Sequence, residues 1–217
     1  MKALFKDNIS FLLPYFIYIV LGSFLLALNT KINLHLTFNA FHTPFWDSFF
    51  AYFTYLGDGV MALLTVIILL TIKYRYALIA GIANLVSAAI TQALKLFIYS
   101  DSLRPKKFFE GVHDIYLVPG VENHLYNSFP SGHSTCAFAL YFSLSLFVKK
   151  PVLKSLFFIV ALLAGYSRIY LSQHFFEDVY AGSLIGLSTT IVVYYFVRKN
   201  EKKWMEGSLI PPLKANG

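Results

Sequence analysis

Cysteine is nearly absent from this chain of 217 residues: Cys136 stands alone. That excludes an internal disulfide framework and any multi-cysteine metal site. Charge is scarce too. Only 13% of the residues are Asp, Glu, Lys or Arg, about half the share of a soluble globular domain. A disordered chain and a coiled coil both need far more charge, so both are excluded. Acidic residues are the rarer sign, 11 against 18 basic ones, for a net charge of +7. A basic balance can point to nucleic acid, but in an apolar chain it more often reflects basic loops kept on one side of a membrane. Repeats and low-complexity tracts are also missing, so residues 1–217 read as one domain.

What the chain has is apolar bulk: 57% hydrophobic, 18% aromatic, mean hydropathy +0.61. A helix needs about 20 apolar residues to cross a bilayer. Uncharged or nearly uncharged runs predict spans over residues 11–28, 54–72, 77–99, 132–148, 152–171 and 177–197. The fold class expected is therefore all-α, an integral membrane bundle of six transmembrane helices. Leu34–Tyr55 is crowded with aromatics, including Phe38, Phe41, Phe45, Trp46 and Phe49. Aromatics favour the membrane interface, so part of this segment is expected to lie flat as an interfacial helix between the first two spans. Lys2 and Lys6 precede the first run as in a signal peptide. The run is long for that purpose and no small-residue cleavage site follows Leu28, so an uncleaved first span is expected.

Six spans put both termini on one side. That side takes Lys2, Lys6, Lys73, Arg75, Lys149, Lys150, Lys154, Arg198, Lys199, Lys202, Lys203 and Lys214, with only Asp7, Glu201 and Glu206 among the acids. The split is +9 on the terminal side and −2 on the other. The positive-inside rule then makes the termini cytoplasmic, and a nucleic-acid partner loses its support. All six histidines, His35, His42, His113, His124, His133 and His174, fall on the other side.

Three segments meet there. Lys95 ends the third span and Arg104-Pro105 follows in the loop. Ser128-Phe129-Pro130-Ser131-Gly132-His133 opens the fourth span, and Ser167-Arg168 is followed by His174 and Asp178. Pro and Ser favour a helix start, and a helix N-terminus offers free N–H groups to a phosphate. Gly132 lets a ligand approach the backbone. Arg104 and Arg168 suit phosphate oxygens bidentately, with Lys95 as a point charge. His174 and Asp178 are four apart and share a helical face if the sixth span starts near Ser172. The carboxylate would fix the imidazole tautomer and leave the other nitrogen as nucleophile, with His133 across the pocket as general acid. His133, His174 and Asp178 also admit a metal-site reading, but three neighbouring cations repel a divalent ion.

With these motifs the chain resembles the type 2 phosphatidic acid phosphatase family of membrane lipid phosphatases. The Pro-Ser-Gly-His segment and the Ser-Arg…His…Asp segment match that family residue for residue and spacing for spacing. The first motif departs from it: Lys95 and Arg104 are separated by eight residues where the family usually has six. Lys106 and Lys107 follow Pro105 and read as loop residues. The resemblance implies that His174 attacks phosphorus to form a phosphohistidine, that Asp178 orients it and that His133 protonates the leaving group. It implies that Lys95, Arg104, Ser131, Gly132 and Arg168 hold the phosphoryl oxygens, with no metal or other cofactor. The implied partner is a lipid phosphate in a bacterial plasma membrane, reached from the extracytoplasmic side. Undecaprenyl diphosphate, phosphatidic acid, phosphatidylglycerophosphate and lipid A phosphates all fit, and the motifs say nothing of oligomeric state. Alternatives are a transporter or binding protein that recognises phosphate without hydrolysis, and a vanadate haloperoxidase. The first lacks the inverted repeats of many transporters, and six spans weigh against the second.

Overall fold

A computed structural model describes residues 2–200 and 202–210. Glu201 and Lys214 of the charge count, and any tail beyond residue 210, lie outside the described residues. Among the described residues the structure is entirely helical: α1 Lys2–Asp7, α2 Ile9–Leu28, α3 Lys31–Asn39, α4 Pro44–Phe53, α5 Gly59–Ile72, α6 Tyr74–Phe97, α7 Pro105–Phe108, α8 Gly132–Phe147, α9 Pro151–Tyr170 and α10 Phe176–Arg198. Short 3-10 turns cover Thr54–Gly57 and Lys203–Glu206.

The termini of these helices follow from local chemistry. Thr30 caps α3, Thr43 caps α4 with Pro44 in its first turn, Asp58 caps α5 and Ser131 caps α8. Each supplies a side-chain oxygen to an otherwise unpaired N–H of the first turn. The interval between the first two long helices thus holds two helices, α3 and α4. The second span, expected as one helix over 54–72, is instead broken: the segment Pro44–Gly57 meets Gly59–Ile72 at a bend of 51°. The break falls where Asp58 leaves helical geometry to cap α5.

Four helices, α2, α6, α9 and α10, are long and apolar enough to cross a membrane, and the bent pair makes a fifth if counted as one span. Helix α8 has 16 residues. It is the centre of the bundle, packed by α6, α9 and α10. Its small residues let neighbours approach, and its hydroxyls bond inward: Thr135 donates to Ser131 O at 3.0 Å and Ser143 to Ala139 O at 2.7 Å. Polar groups without water are satisfied within the bundle in this way. Large side chains point outward from α2, α5 and α9, with Phe16, Leu21, Phe24, Leu63, Ile68, Val152 and Leu156 all exposed. A surface so apolar is stable only against lipid.

Helix α10 lies against α8 through two glycines. A Cβ on Gly182 would come within 2.6 Å of Ser131 O, and one on Gly186 within 2.3 Å of Thr135 O. Both obstacles are backbone, so neither can swing aside. Outside the long helices, His35 of α3 is 1% exposed between the rings of Phe109 and Phe175. Burial, with a small contribution from Lys31, lowers its pKa to about 4.

Both features bear on stability. Gly186→Val forces α8 and α10 apart and destabilises the bundle by about 1–3 kcal/mol or more, read as a lower melting temperature in detergent. His35 binds a proton more readily unfolded than folded, so it contributes stability above pH 6.5 that is lost as pH falls toward 4. About 3 kcal/mol is involved. His35→Phe should therefore flatten the acid limb of melting temperature against pH.

Candidate active site

The start of α8 follows a cis Phe129-Pro130 bond. Ser131 then caps the helix, its Oγ accepting from Ser134 N at 3.3 Å and Ser134 Oγ at 2.9 Å. Its own N–H donates to Asp178 O at 3.0 Å. Expected among the phosphoryl ligands, Ser131 is fully buried and does not line the cavity beside it. The next two N–H groups, of Gly132 and His133, have no hydrogen-bond partner among the described residues. Gly132 and His133 do line that cavity, and a Cβ on Gly132 would meet nothing within 4 Å. An open helix N-terminus therefore faces an open space.

His174 and Asp178 meet, but not across a helical face. Helix α9 stops at Tyr170, and Ser172 takes a left-handed φ of 51°. The chain folds back so that the N–H groups of Gln173 and His174 both donate to Arg168 O, at 2.9 and 3.1 Å. His174 precedes α10, and Asp178 is the third residue of that helix. From there Asp178 Oδ2 accepts from Phe175 N at 2.9 Å, from Ser128 Oγ at 2.5 Å and from His174 Nδ1 at 3.3 Å. The four-residue spacing thus closes one turn around a helix N-terminus. His174 is 2% exposed. Burial, then the facing charges of Arg104, Arg168 and Lys95, hold its pKa well below the usual imidazole value. The ring is neutral at physiological pH, with Nδ1 committed to the carboxylate and Nε2 without a partner among the described residues.

The three cations reach the same place from three elements. Lys95, on the last turn of α6, donates to Asn127 O at 2.6 Å. Arg104 donates from Nε to Tyr126 O at 3.0 Å and from Nη1 to Gln173 O at 3.2 Å. Arg168 donates from Nη1 to Thr54 Oγ1 at 2.7 Å, while its Nε is buried without a partner among the described residues. An unpaired buried donor costs free energy that an oxyanion in the cavity would recover. Lys95, Arg104, Gly132, His133, Arg168 and His174 all line one cavity of about 500 Å³. Lys106 and Lys107 do not, and Lys107 pairs with Glu110 in the loop. Among the described residues, no cluster of three or more His, Cys, Asp or Glu is placed to hold a metal ion.

The cavity continues from this polar end between α5, α6 and α8, where Ala62, Leu63, Val66, Leu85 and Ala88 line it. A second, more polar cavity of about 830 Å³ adjoins it and shares His124, His133 and Arg168.

Several contributors carry no motif. Ser128 completes the hydrogen bonds of Asp178 Oδ2, and the carbonyls of Tyr126 and Asn127 receive the cations. Thr54 and Asp58 sit at the break before α5, with Asp58 Oδ2 3.9 Å from His133 Nε2. Asp58 left a trace in the sequence as an acid in an apolar stretch, and Ser128 stood at the head of the segment that opens α8, though no role followed from it there; the carbonyls leave none, because any residue supplies one.

Known proteins resemble this chain in sequence and in fold. The family model described as the PAP2 superfamily matches residues 76–202, a stretch that holds every motif from Lys95 to Asp178. A curated lipid A 4'-phosphatase of Bacteroides thetaiotaomicron is 28% identical over 196 residues, covering 87% of this chain and 85% of the relative. The crystal structure of Aquifex aeolicus LpxE superposes with a TM-score of 0.67 at 30% identity, covering 76% of this chain and 94% of that one. The PAP2-type phosphatidylglycerolphosphate phosphatase of Bacillus subtilis shares the fold, with a TM-score of 0.61 at 22% identity over 91% of this chain and 98% of its own. A family match over more than half of the length, on a fold that those structures share, identifies the chain as a phosphatase belonging to the PAP2 superfamily.

Proposed function

We propose that this chain is a metal-independent lipid phosphatase working at the outer membrane face through a phosphohistidine intermediate. One observation carries the mechanism: the buried His174 is fixed by Asp178 through Nδ1 and leaves Nε2 to a cavity lined by Lys95, Arg104 and Arg168. In this reading Nε2 attacks phosphorus and the P–O bond to the lipid breaks. His133 gives its proton to the departing oxygen. Water, deprotonated by His133, then displaces His174 and releases inorganic phosphate. The three cations and the N–H groups of Gly132 and His133 hold the phosphoryl oxygens as charge spreads over them. Such positioning and electrostatic stabilisation are most of what phosphoryl transfer requires.

The apolar continuation of the cavity supports a substrate whose tail stays in the bilayer. Among lipid phosphates, those of lipid A come first for trial, since a relative bearing that name spans most of this chain; phosphatidylglycerophosphate follows. For topology we infer six spans, the bent pair and α8 making up the number. Helix α8 is about 24 Å long at 1.5 Å per residue, short for a bilayer, but its neighbours enclose it and spare it direct contact with lipid. The basic residues of the terminal end are gathered, Arg75 donating to Val197 O and Asn200 O and Lys154 to Asn8 Oδ1. This supports cytoplasmic termini and an extracytoplasmic site.

His174→Ala should lower phosphate release from a lipid phosphate about a thousandfold or more, with the melting temperature little changed. Full activity in that variant would remove the phosphohistidine from the mechanism. Vanadate, an analogue of the pentacoordinate phosphoryl group, should inhibit the purified protein, and EDTA should leave phosphate release unchanged; activity lost in EDTA and restored by a divalent ion would overturn the metal-independent reading.

A further inference from the structure

The break between α4 and α5 forms one wall of the phosphoryl cavity and is fastened to the site at several points. Thr54 receives Arg168, Tyr141 OH donates to Leu56 O at 3.0 Å, and a Cβ on Gly57 would lie 3.1 Å from His133 O. Asp58 comes next, lining the cavity itself. Its Oδ1 accepts from Val60 N at 3.2 Å, which fixes χ1 and aims Oδ2 at His133 Nε2, 3.9 Å away. The remaining ionisable groups about the cavity are Lys95 from α6, Arg104 from the start of α7, His124 from the loop before α8, the thiol of Cys136 from α8, Arg168 from α9 and His174 from the turn before α10. None of these is an anion. The second carboxylate of the site, Asp178, is fully buried behind His174. His133 also borders the second cavity, where Glu122 is one acid and Asp47 another, the latter bonded to His42, Tyr116 and Tyr170; among the described residues Asp58 is the carboxylate within 4 Å of the His133 ring.

We propose that Asp58 is a positioning residue for His133: its carboxylate orients the imidazole and stabilises the protonated ring that delivers the proton to the leaving oxygen. The site then holds two imidazole–carboxylate pairs among the same three cations. His174 with Asp178 is buried, cationic in its surroundings and neutral, as a nucleophile requires. His133 with Asp58 faces the cavity, where the carboxylate counters three cations that otherwise oppose protonation. The proposal rests on the reading of His133 as general acid.

The test uses the purified full-length protein and two substrates, a phosphatidic acid and p-nitrophenyl phosphate, whose leaving group departs without a proton. Asp58→Asn keeps an N-capping oxygen and removes the charge. It should lower kcat/KM, which reads the step that expels the leaving group and not the later attack of water, about tenfold or more for the alkyl phosphate, with a much smaller effect on the nitrophenyl ester. It should also move the alkaline limb of the alkyl phosphate pH profile to lower pH by about half a unit or more, since the imidazolium loses its counter-charge. Asp58→Glu should restore part of both effects, and Asp58→Ser, which also retains a capping oxygen, should reproduce those of Asn.

An unmoved alkaline limb in Asp58→Asn and Asp58→Ser overturns the proposal. His133→Ala is run alongside to separate the two layers. A loss of kcat/KM confined to the alkyl phosphate upholds His133 as the acid, and the Asp58 variants then decide whether Asp58 positions it. An equal loss of kcat/KM on both substrates removes the acid role of His133, and the role of Asp58 with it.

Discussion

The carboxylate of Asp178 receives the N–H of Phe175, the hydroxyl of Ser128 and the imidazole of His174, while the carbonyl of the same residue receives the N–H of Ser131. One buried residue at the start of α10 thereby ties together His174, the loop ahead of α8 and the capping residue of α8. Such a carboxylate is costly to bury; three hydrogen bonds on Oδ2 offset part of that cost, while Oδ1 is buried without a partner among the described residues. Removing it would leave polar partners stranded, so the geometry of the site and the stability of this end of the bundle depend on the same bonds. The glycine contacts of α10 with α8 bring the two helix starts within reach of each other, and without that approach the bonds could not form.

Around this anchor the site holds more positive charge than the protein itself neutralises. Lys95 and Arg104 are steadied by loop carbonyls, Arg168 by a threonine hydroxyl, and the Nε of Arg168 has no partner among the described residues. Neutral acceptors orient a cation without cancelling its charge. The arrangement is preorganised for a multiply charged oxyanion, and the cost of assembling it is met in folding and not at the moment of reaction. It also keeps His174 neutral, because a proton there would be both buried and repelled. In the proposed mechanism the charges that would hold a phosphoryl group also preserve the lone pair that would attack it.

The chemistry depends equally on how the bundle treats polar groups away from the site. Helix α8 is rich in hydroxyls that bond to carbonyls within the helix or one contact away, which lets a polar, small-residue helix sit at the centre. The large apolar side chains are displaced to the outer helices, where lipid is their solvent. A cavity open at its polar end to the phosphoryl site and apolar farther down is what such a bundle leaves when α5 is bent away at Asp58.

The composition, the runs of apolar residues and three short motifs determined the helical membrane class and the chemistry-bearing residues, because hydrophobic periodicity and motif spacing are local properties of the chain. The long helices α2, α6, α9 and α10, and the placing of Lys95, Arg104, His133, Arg168 and His174 about one space, were legible in that way. Tertiary structure decided the rest. Ser131 turned inward as a cap because the N–H of Ser134 needed its oxygen, and His174 met Asp178 around a helix N-terminus because the chain reverses at Ser172. Thr54, Asp58 and Ser128 joined the site from positions 114, 75 and 50 residues away from Arg168, His133 and Asp178 in the chain. A contact across such distances is fixed by how helices pack, which depends on the volume of every side chain between them and is written in no single stretch of sequence.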